Sequence, residues 1–286
     1  MDISIDTLIQ QSGTPISLPE VFLQLNRLTQ DPNCSVADIA QIVESDIGLS
    51  SRLLQIVNSP FYGFPSSIES ISRAITIIGI KDLRDLALTT TTVDLFSNMK
   101  NKQEHIRELW RHSLYCGVIS RLLAESLHEQ NAERFFVSGL LHDIGLLILY
   151  QGIPETTHHS IQQARATGET LASIEMSILG YTHTDVGSRL ANRWKLPANI
   201  IEAIEFHHNP EKATEFPVET AIIHIANHIT DMINQENSLS IDQPPIDTET
   251  WKTSGLSNEA IDLVLANAPQ QFNEIYGLLF SQEQAA

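Results

Sequence analysis

Apolar residues recur at intervals of three and four along almost the whole chain, which is the spacing of amphipathic helices. Alternation of apolar and polar residues between turn dipeptides, the pattern of half-buried strands, is scarce. The pattern therefore predicts an all-α protein, in which a multi-helix bundle follows a smaller helical subdomain.

Cap residues locate several of these helices. Ser35 to Asp38 has the form of a capping box that opens a helix ending at Glu44, and Asn58-Ser59-Pro60 is a helix stop. A second capping box, Thr182 to Asp185, places His183 in the first turn of another helix. The apolar stretch Glu133 to Tyr150 is expected to form one buried helix, and His158 and His159 are expected in a loop.

A polar, charged stretch at residues 97–104 predicts a joint. We expect an N-terminal subdomain at 1–96, a second subdomain at 97–236 and a C-terminal helical extension at 237–286, with a loop at 237–250. One such pair uses the whole length, so no receiver or output domain is expected on the chain.

Charge and cysteine content exclude some classes of function. Lys and Arg number 17 against 35 Asp and Glu, and the net charge of −18 disfavours nucleic-acid and anionic-membrane partners. Two cysteines do not make a disulfide framework, and the N-terminus has no secretory pattern. We expect a cytoplasmic protein.

Histidines at apolar helical positions indicate a shared site. His142 and Asp143 are adjacent inside the apolar stretch, where an ionised carboxylate costs several kcal/mol unless it is paired or metal-bound. Three other predicted helices each turn histidine inward. Either each is a hydrogen-bonded core histidine, or all converge on one metal or polar centre. The candidate metal ligands are His112, His142, Asp143, His183, His207 and His208, with Asp143 also the candidate catalytic residue.

Further segments carry a family resemblance; they are Leu18-Pro19-Glu20-Val21, Glu44 to Ser50, Arg52 to Gly63 and Ala74 to Gly79. With the His-Asp region, residues 17–209 resemble the HDOD family, regulatory relatives of the HD superfamily of metal-dependent phosphohydrolases. The resemblance implies an HD-like bundle whose pocket binds a divalent metal. For a His-rich donor set, iron, zinc, manganese or nickel is expected rather than calcium.

Three departures from the superfamily pattern bear on activity. The closing Asp of the superfamily falls near Asn227, a neutral and poorer ligand. Leu146 stands where relatives that hydrolyse cyclic-di-GMP carry Lys, and the loop after His207-His208 lacks their Gly-Tyr-Pro. These differences imply weak or no hydrolysis of cyclic dinucleotides.

Three functions remain open at this point. The first is an HDOD-type cytoplasmic signalling module that acts through a protein partner. The second is a metal-dependent phosphohydrolase acting on a nucleotide or another phosphate ester. The third is a domain that binds a nucleotide second messenger without cleaving it.

Overall fold

The chain is helical throughout the part that the structure describes. The structure is a computed structural model and describes residues 3–11, 18–97, 104–129, 131–233 and 245–280, in which no β-strand occurs. The all-α prediction is confirmed. In chain order the α-helices are α1 (Ile5–Gln11), α2 (Glu20–Leu28), α3 (Val36–Glu44), α4 (Ile47–Val57), α5 (Ile71–Ile78), α6 (Ile80–Ser97), α7 (Glu104–Ser126), α8 (Ala132–Leu141), α9 (Ile144–Gly152), α10 (Pro154–Thr167), α11 (Leu171–Leu179), α12 (His183–Arg193), α13 (Ala198–Phe206), α14 (Pro217–Ile233), α15 (Thr248–Ser254) and α16 (Asn258–Phe280).

The chain folds into two compact units, and their bounds differ from the expected division. The larger unit takes residues 1–16 and 101–264, and the smaller unit takes 17–100 and 265–286. α1 joins the larger unit because it packs on α9 and α12. Most of α16 belongs to the smaller unit, so the expected extension at 237–286 is divided between the two. The expected joint lies mostly outside the described residues, since 98–103 are not described.

In the smaller unit, α2 to α6 enclose an apolar core, and local polar contacts fix the helix ends. α3 begins at the predicted capping box, in which Ser35 accepts the Asp38 N–H and the Asp38 carboxylate accepts the Ser35 N–H. Asn58 pairs with both backbone groups of Ile68, at 2.7 and 2.8 Å. Asn58 therefore closes the loop that follows α4, as expected for a structural helix stop.

The larger unit is held together by close helix crossings at glycine. A Cβ on Gly139 of α8 would lie 2.9 Å from the Cys116 carbonyl of α7. A Cβ on Gly145 of α9 would lie 1.9 Å from the His183 carbonyl of α12, at a point where Gly187 also faces α9. Only glycine permits such an approach between backbones, and both crossings border the His142-Asp143 turn.

Three local predictions were wrong. The expected single helix from Glu133 to Tyr150 is divided, because Asp143 has φ −99° and ψ 16°, which ends the helical run between α8 and α9. His158 and His159, expected in a loop, lie in α10, which Pro154 opens. The described end of the expected 237–250 loop contains the start of α15, whose N-cap is Asp247.

Residues 132–152 are long and apolar enough to meet the criterion for a membrane span. However, 83% of the tested window is buried inside the protein. The same length and composition are typical of the core helices of a folded domain, and here α8 and α9 form the centre of the larger unit.

Candidate metal centre

The structure brings all six predicted site residues together in the larger unit. His112 lies on α7, His142 and Asp143 form the turn between α8 and α9, and His183 is the first residue of α12. His207 caps the C-terminus of α13 and His208 follows it. Their donor atoms form two groups that share Asp143, and within each group all donors lie within 4.8 Å of one another.

The first group, here called position 1, contains one carboxylate and three imidazoles. Asp143 Oδ1 lies 3.5 Å from Nε2 of His183 and 3.5 Å from Nε2 of His207. The Nε2 atoms of His183 and His208 are 3.0 Å apart. A tetrahedral ion with bonds of about 2.0–2.1 Å requires donors about 3.3 Å apart. The donor set of position 1 therefore fits a divalent transition metal.

The second group, here called position 2, uses the other oxygen of the same carboxylate. Asp143 Oδ2 lies 3.3 Å from Nε2 of His142 and 3.9 Å from Nε2 of His112. A carboxylate that directs one oxygen at each of two donor groups is the arrangement that bridges two ions. The two positions are therefore adjacent parts of one centre.

The far nitrogens of three rings are fixed by acceptors. Nδ1 of His142 donates to the Gly139 carbonyl at 2.7 Å, and Nδ1 of His207 donates to the Ile204 carbonyl at 3.0 Å. Nδ1 of His183 lies 2.6 Å from the buried carboxylate of Glu175. These contacts aim the three Nε2 atoms inward, as in metal-binding histidines.

Two of those inward nitrogens lack a hydrogen-bond partner among the described residues. Nε2 of His142 and Nε2 of His207 are both buried, and neither forms a hydrogen bond, although oxygens of Asp143 lie 3.3 and 3.5 Å away. Buried polar atoms are seldom left in this state, because the cost is about 1–3 kcal/mol for each group. A metal ion at the centre would satisfy both.

Burial and the neighbouring charges set the protonation of the centre. Burial lowers the pKa of His207 to about 4, so this ring is neutral at neutral pH and able to coordinate. Burial also lowers the pKa of His208 well below its ordinary range, helped by the neighbouring His207 and His183. Burial alone would raise the pKa of Asp143, but the adjacent His142 outweighs it and holds the pKa well below its ordinary range.

Asn227 lies where the superfamily resemblance placed a closing carboxylate, and it contacts position 2. Its Oδ1 is 2.8 Å from Nε2 of His112. One turn further along α14, Asp231 places Oδ1 3.5 Å from Nδ1 of the same ring. Both nitrogens of His112 are thus engaged by α14.

Sequence analysis missed three supporting residues. Glu175 orients His183, Asp231 approaches His112, and His224 donates from Nδ1 to the His207 carbonyl at 2.7 Å. A buried acid between Ile174 and Met176 was a signal for Glu175, since such a position needs a partner. The other two depend on how α14 packs, which no local pattern encodes.

An apolar cleft reaches the shared carboxylate. Asp143 and Ser113 supply its polar atoms, and its other walls are Leu109, Trp110, Leu140, Ile144 and Leu147. Apolar walls beside a carboxylate exclude water and strengthen electrostatic interactions at the centre.

The chain belongs to the HDOD domain family, which matches residues 16–210. An uncharacterized protein of Treponema pallidum (strain Nichols) is 28% identical over 201 residues, 69% of this chain. The aligned region is 38% of that protein, so the chain spans well under half the length of this curated relative.

Solved structures share the fold. A Geobacter sulfurreducens HDOD domain protein of unknown function superposes with a TM-score of 0.75 at 22% identity over 96% of both chains. A provisionally named signal transduction protein of Marinobacter aquaeolei VT8 has a TM-score of 0.73 at 18% identity, over 95% of this chain and 61% of that one. A provisionally named metal-dependent phosphohydrolase of Shewanella amazonensis SB2B has a TM-score of 0.62 at 19% identity, over 94% and 96%.

Proposed function

We propose that this chain is a cytoplasmic HDOD signalling module that binds a divalent metal ion in its HD-like pocket and acts through a protein partner. The observation that carries the metal site is the set of inward-facing Nε2 atoms around Asp143, with the rings of His142, His183 and His207 each fixed from behind. Iron, zinc, manganese and nickel suit such a donor set. The name of the Marinobacter structure supports the signalling role.

In this proposal the candidate ligands, in two groups that share Asp143, are His112, His142, Asp143, His183, His207 and His208. Asp143 holds the centre together because both of its oxygens face imidazole nitrogens. When bound, the ion supplies a Lewis acid that polarises a phosphoryl oxygen or a water. Glu175 and the carbonyls of Gly139 and Ile204 keep the rings in the coordinating tautomer.

The residues beside these ligands favour a role in binding rather than in hydrolysis. Leu146 is buried, and it brings no charge to a developing oxyanion. Asn227 brings no charge to position 2. Removing one stabilising contact of this kind typically reduces the rate by about 10²–10³, and here two are missing.

The second candidate is a metal-dependent phosphohydrolase acting on a nucleotide or another phosphate ester. The two donor groups that share Asp143 favour it, because two adjacent ions can hold an attacking and a leaving oxygen. In that case Asp143 would be catalytic. The name of the Shewanella structure supports this candidate.

Metal analysis of protein purified without chelator tests the proposed site. We expect bound transition metal in the wild type and its loss in Asp143→Ala. Unchanged metal content in that variant would contradict the site. Metal-replete protein should then turn over neither cyclic-di-GMP nor simple phosphate monoesters at an ordinary enzymatic rate, and turnover that Asp143→Ala abolishes would establish the phosphohydrolase instead.

The binding roles need separate measurements. Titration with cyclic-di-GMP under conditions without turnover detects a second-messenger site. Cross-linking in cells, with the wild type and Asp143→Ala as baits, should capture one protein partner reproducibly with the wild type. Absence of any specific partner would contradict the interaction role.

A further inference from the structure

We infer that position 1 alone holds a tightly bound ion in this chain, and that Asn227 and Asp231 keep position 2 from holding a second. The inference rests on the proposed metal site and specifies its stoichiometry and order of filling. The superfamily pattern of a His, the His-Asp pair and a closing Asp corresponds to position 2, the position that this inference leaves without a tight ion.

Position 1 has a full set of four donors, and an ion there would replace the hydrogen bond between Nε2 of His183 and Nε2 of His208. Four protein donors, Asp143 Oδ1 and three Nε2 atoms, surround it, so no further ligand is needed for a four-coordinate ion. His183 is fixed twice by Glu175, which accepts both its Nδ1–H at 2.6 Å and its backbone N–H at 2.8 Å. The backbone carbonyl of His207 is held in turn by His224.

Position 2 has only three of these donors, and one of them is turned away. Nε2 of His112 lies 2.8 Å from Asn227 Oδ1 but 3.9 Å from Asp143 Oδ2. The nitrogen that would coordinate is therefore hydrogen-bonded to the neutral amide. An ion at position 2 would have to break this bond and would gain no negative charge from Asn227 in return.

Asp231 strengthens the hold on His112. Its carboxylate approaches the opposite nitrogen of the ring at 3.5 Å, so α14 contacts both nitrogens. Each contact restricts rotation of the ring toward Asp143. His142 remains as the one imidazole at position 2 whose Nε2 forms no hydrogen bond among the described residues and faces Asp143 Oδ2, at 3.3 Å.

The test is a titration of chelator-treated, full-length protein with Zn²⁺ by calorimetry, with Co²⁺ absorption as an independent measure of four-coordinate geometry. We expect the wild type to bind one Zn²⁺ ion tightly. His112→Ala should bind one Zn²⁺ ion with the same affinity. His208→Ala should weaken it by more than the roughly 10–100-fold that follows loss of a group that only orients a ligand.

Asn227→Asp is the decisive variant, because it introduces a carboxylate at position 2 while the side chain keeps the same size and shape. We expect it to add a second tight equivalent. The matched control is Asn192→Asp, the same change on an exposed part of α12, which should leave one equivalent. Circular dichroism melting of each variant distinguishes lost binding from lost folding.

Each alternative result has a definite meaning. Two tight equivalents in the wild type would overturn this inference and leave the proposed metal site intact. The inference would also be overturned if the wild type bound one Zn²⁺ ion tightly, His112→Ala lost that ion, and a folded His208→Ala retained it. No binding at all would overturn the proposed metal site together with the inference.

Discussion

The two candidate metal positions share one carboxylate and have the same kinds of donors, yet their surroundings differ. At position 1, His183 is fixed from behind by Glu175, and His207 by the Ile204 carbonyl. At position 2, His142 is fixed similarly by Gly139, but His112 is held from its coordinating side by Asn227. Inward-facing histidines alone therefore do not define a metal site. The groups that orient each ring decide whether it can coordinate.

The two positions also differ in the helix packing that supports them. Position 1 lies at the crossing of α9 and α12, where Gly145 and Gly187 bring the helices into backbone contact. This crossing places Asp143 within 3.5 Å of His183 Nε2. Position 2 instead depends on α14, whose side chains contact His112 directly. Position 1 should therefore be more sensitive to packing.

The largest effect is expected from Gly145→Ala. The new Cβ would lie 1.9 Å from the His183 carbonyl, and a backbone atom cannot move aside without separating the two helices. We expect a loss of about 3 kcal/mol or more in the free energy of unfolding, together with loss of the tight ion. Urea denaturation and metal titration measure the two effects.

The control for this substitution is Gly277→Ala on α16, where a Cβ would meet no atom within 4 Å. Ala is favoured over Gly in a helix by up to about 1 kcal/mol, so this variant should be as stable as the wild type or slightly more so. Equal stability of the two variants would show that the crossing is not tight.

Sequence pattern predicted the parts of the site that local signals encode. The capping box at Thr182 predicted where α12 begins and thus where His183 lies, because a cap is decided by four adjacent residues. Apolar spacing predicted that His112, His183 and His207 face inward. The structure brings the six side chains together, whereas their role as ligands stays a prediction.

The other features of the fold and the site depended on contacts between segments that are far apart in the chain. The break at His142-Asp143 interrupts an apolar run whose helical spacing continues on both sides, so periodicity alone predicted one helix. The glycine crossings and the contact of Asp231 with His112 join residues far apart in the chain. His158 and His159 were expected in a loop, but they lie in α10, which begins at Pro154.

The next largest effect is expected from Glu175→Gln. The amide still accepts one hydrogen bond, but it no longer places a negative charge behind His183, whose Nδ1 is 2.6 Å away. Loss of such a partner typically weakens metal binding by about 10–100-fold. Zn²⁺ titration checks this, with the exposed Glu169→Gln as the matched control. Equal affinity in both variants would contradict the role of Glu175.

A smaller effect, on stability, is expected from Glu202→Gln. Glu202 on α13 accepts backbone N–H groups of Thr214, Glu215 and Phe216, and so ties α13 to the start of α14. Losing the charge should lower the free energy of unfolding by about 1–2 kcal/mol, in the lower part of the range for such bonds because the side chain is partly exposed.

The pH dependence of Glu202 has a definite sign. Burial alone would raise its pKa, but the three backbone N–H groups outweigh it and lower the pKa below 4.5. Its contribution is therefore fully present above about pH 4.5 and is lost as the pH falls through the lower, folded-state pKa. The stability difference from Glu202→Gln should shrink over that range. A difference that is constant with pH would contradict this assignment.

The smallest effect, and the sharpest test of the comparison, is expected from Asp231→Asn. Asp231 stands behind His112 much as Glu175 stands behind His183, and both changes replace a carboxylate with an amide. If position 1 alone holds the tight ion, Asp231→Asn should change the affinity for Zn²⁺ by less than about threefold, well below the effect of losing a ring-orienting group at an occupied site. The side-by-side titration of Asp231→Asn and Glu175→Gln thus measures how far the two positions differ. A tenfold loss in Asp231→Asn would mean that His112 is a ligand of the tightly bound ion and that the asymmetry is absent.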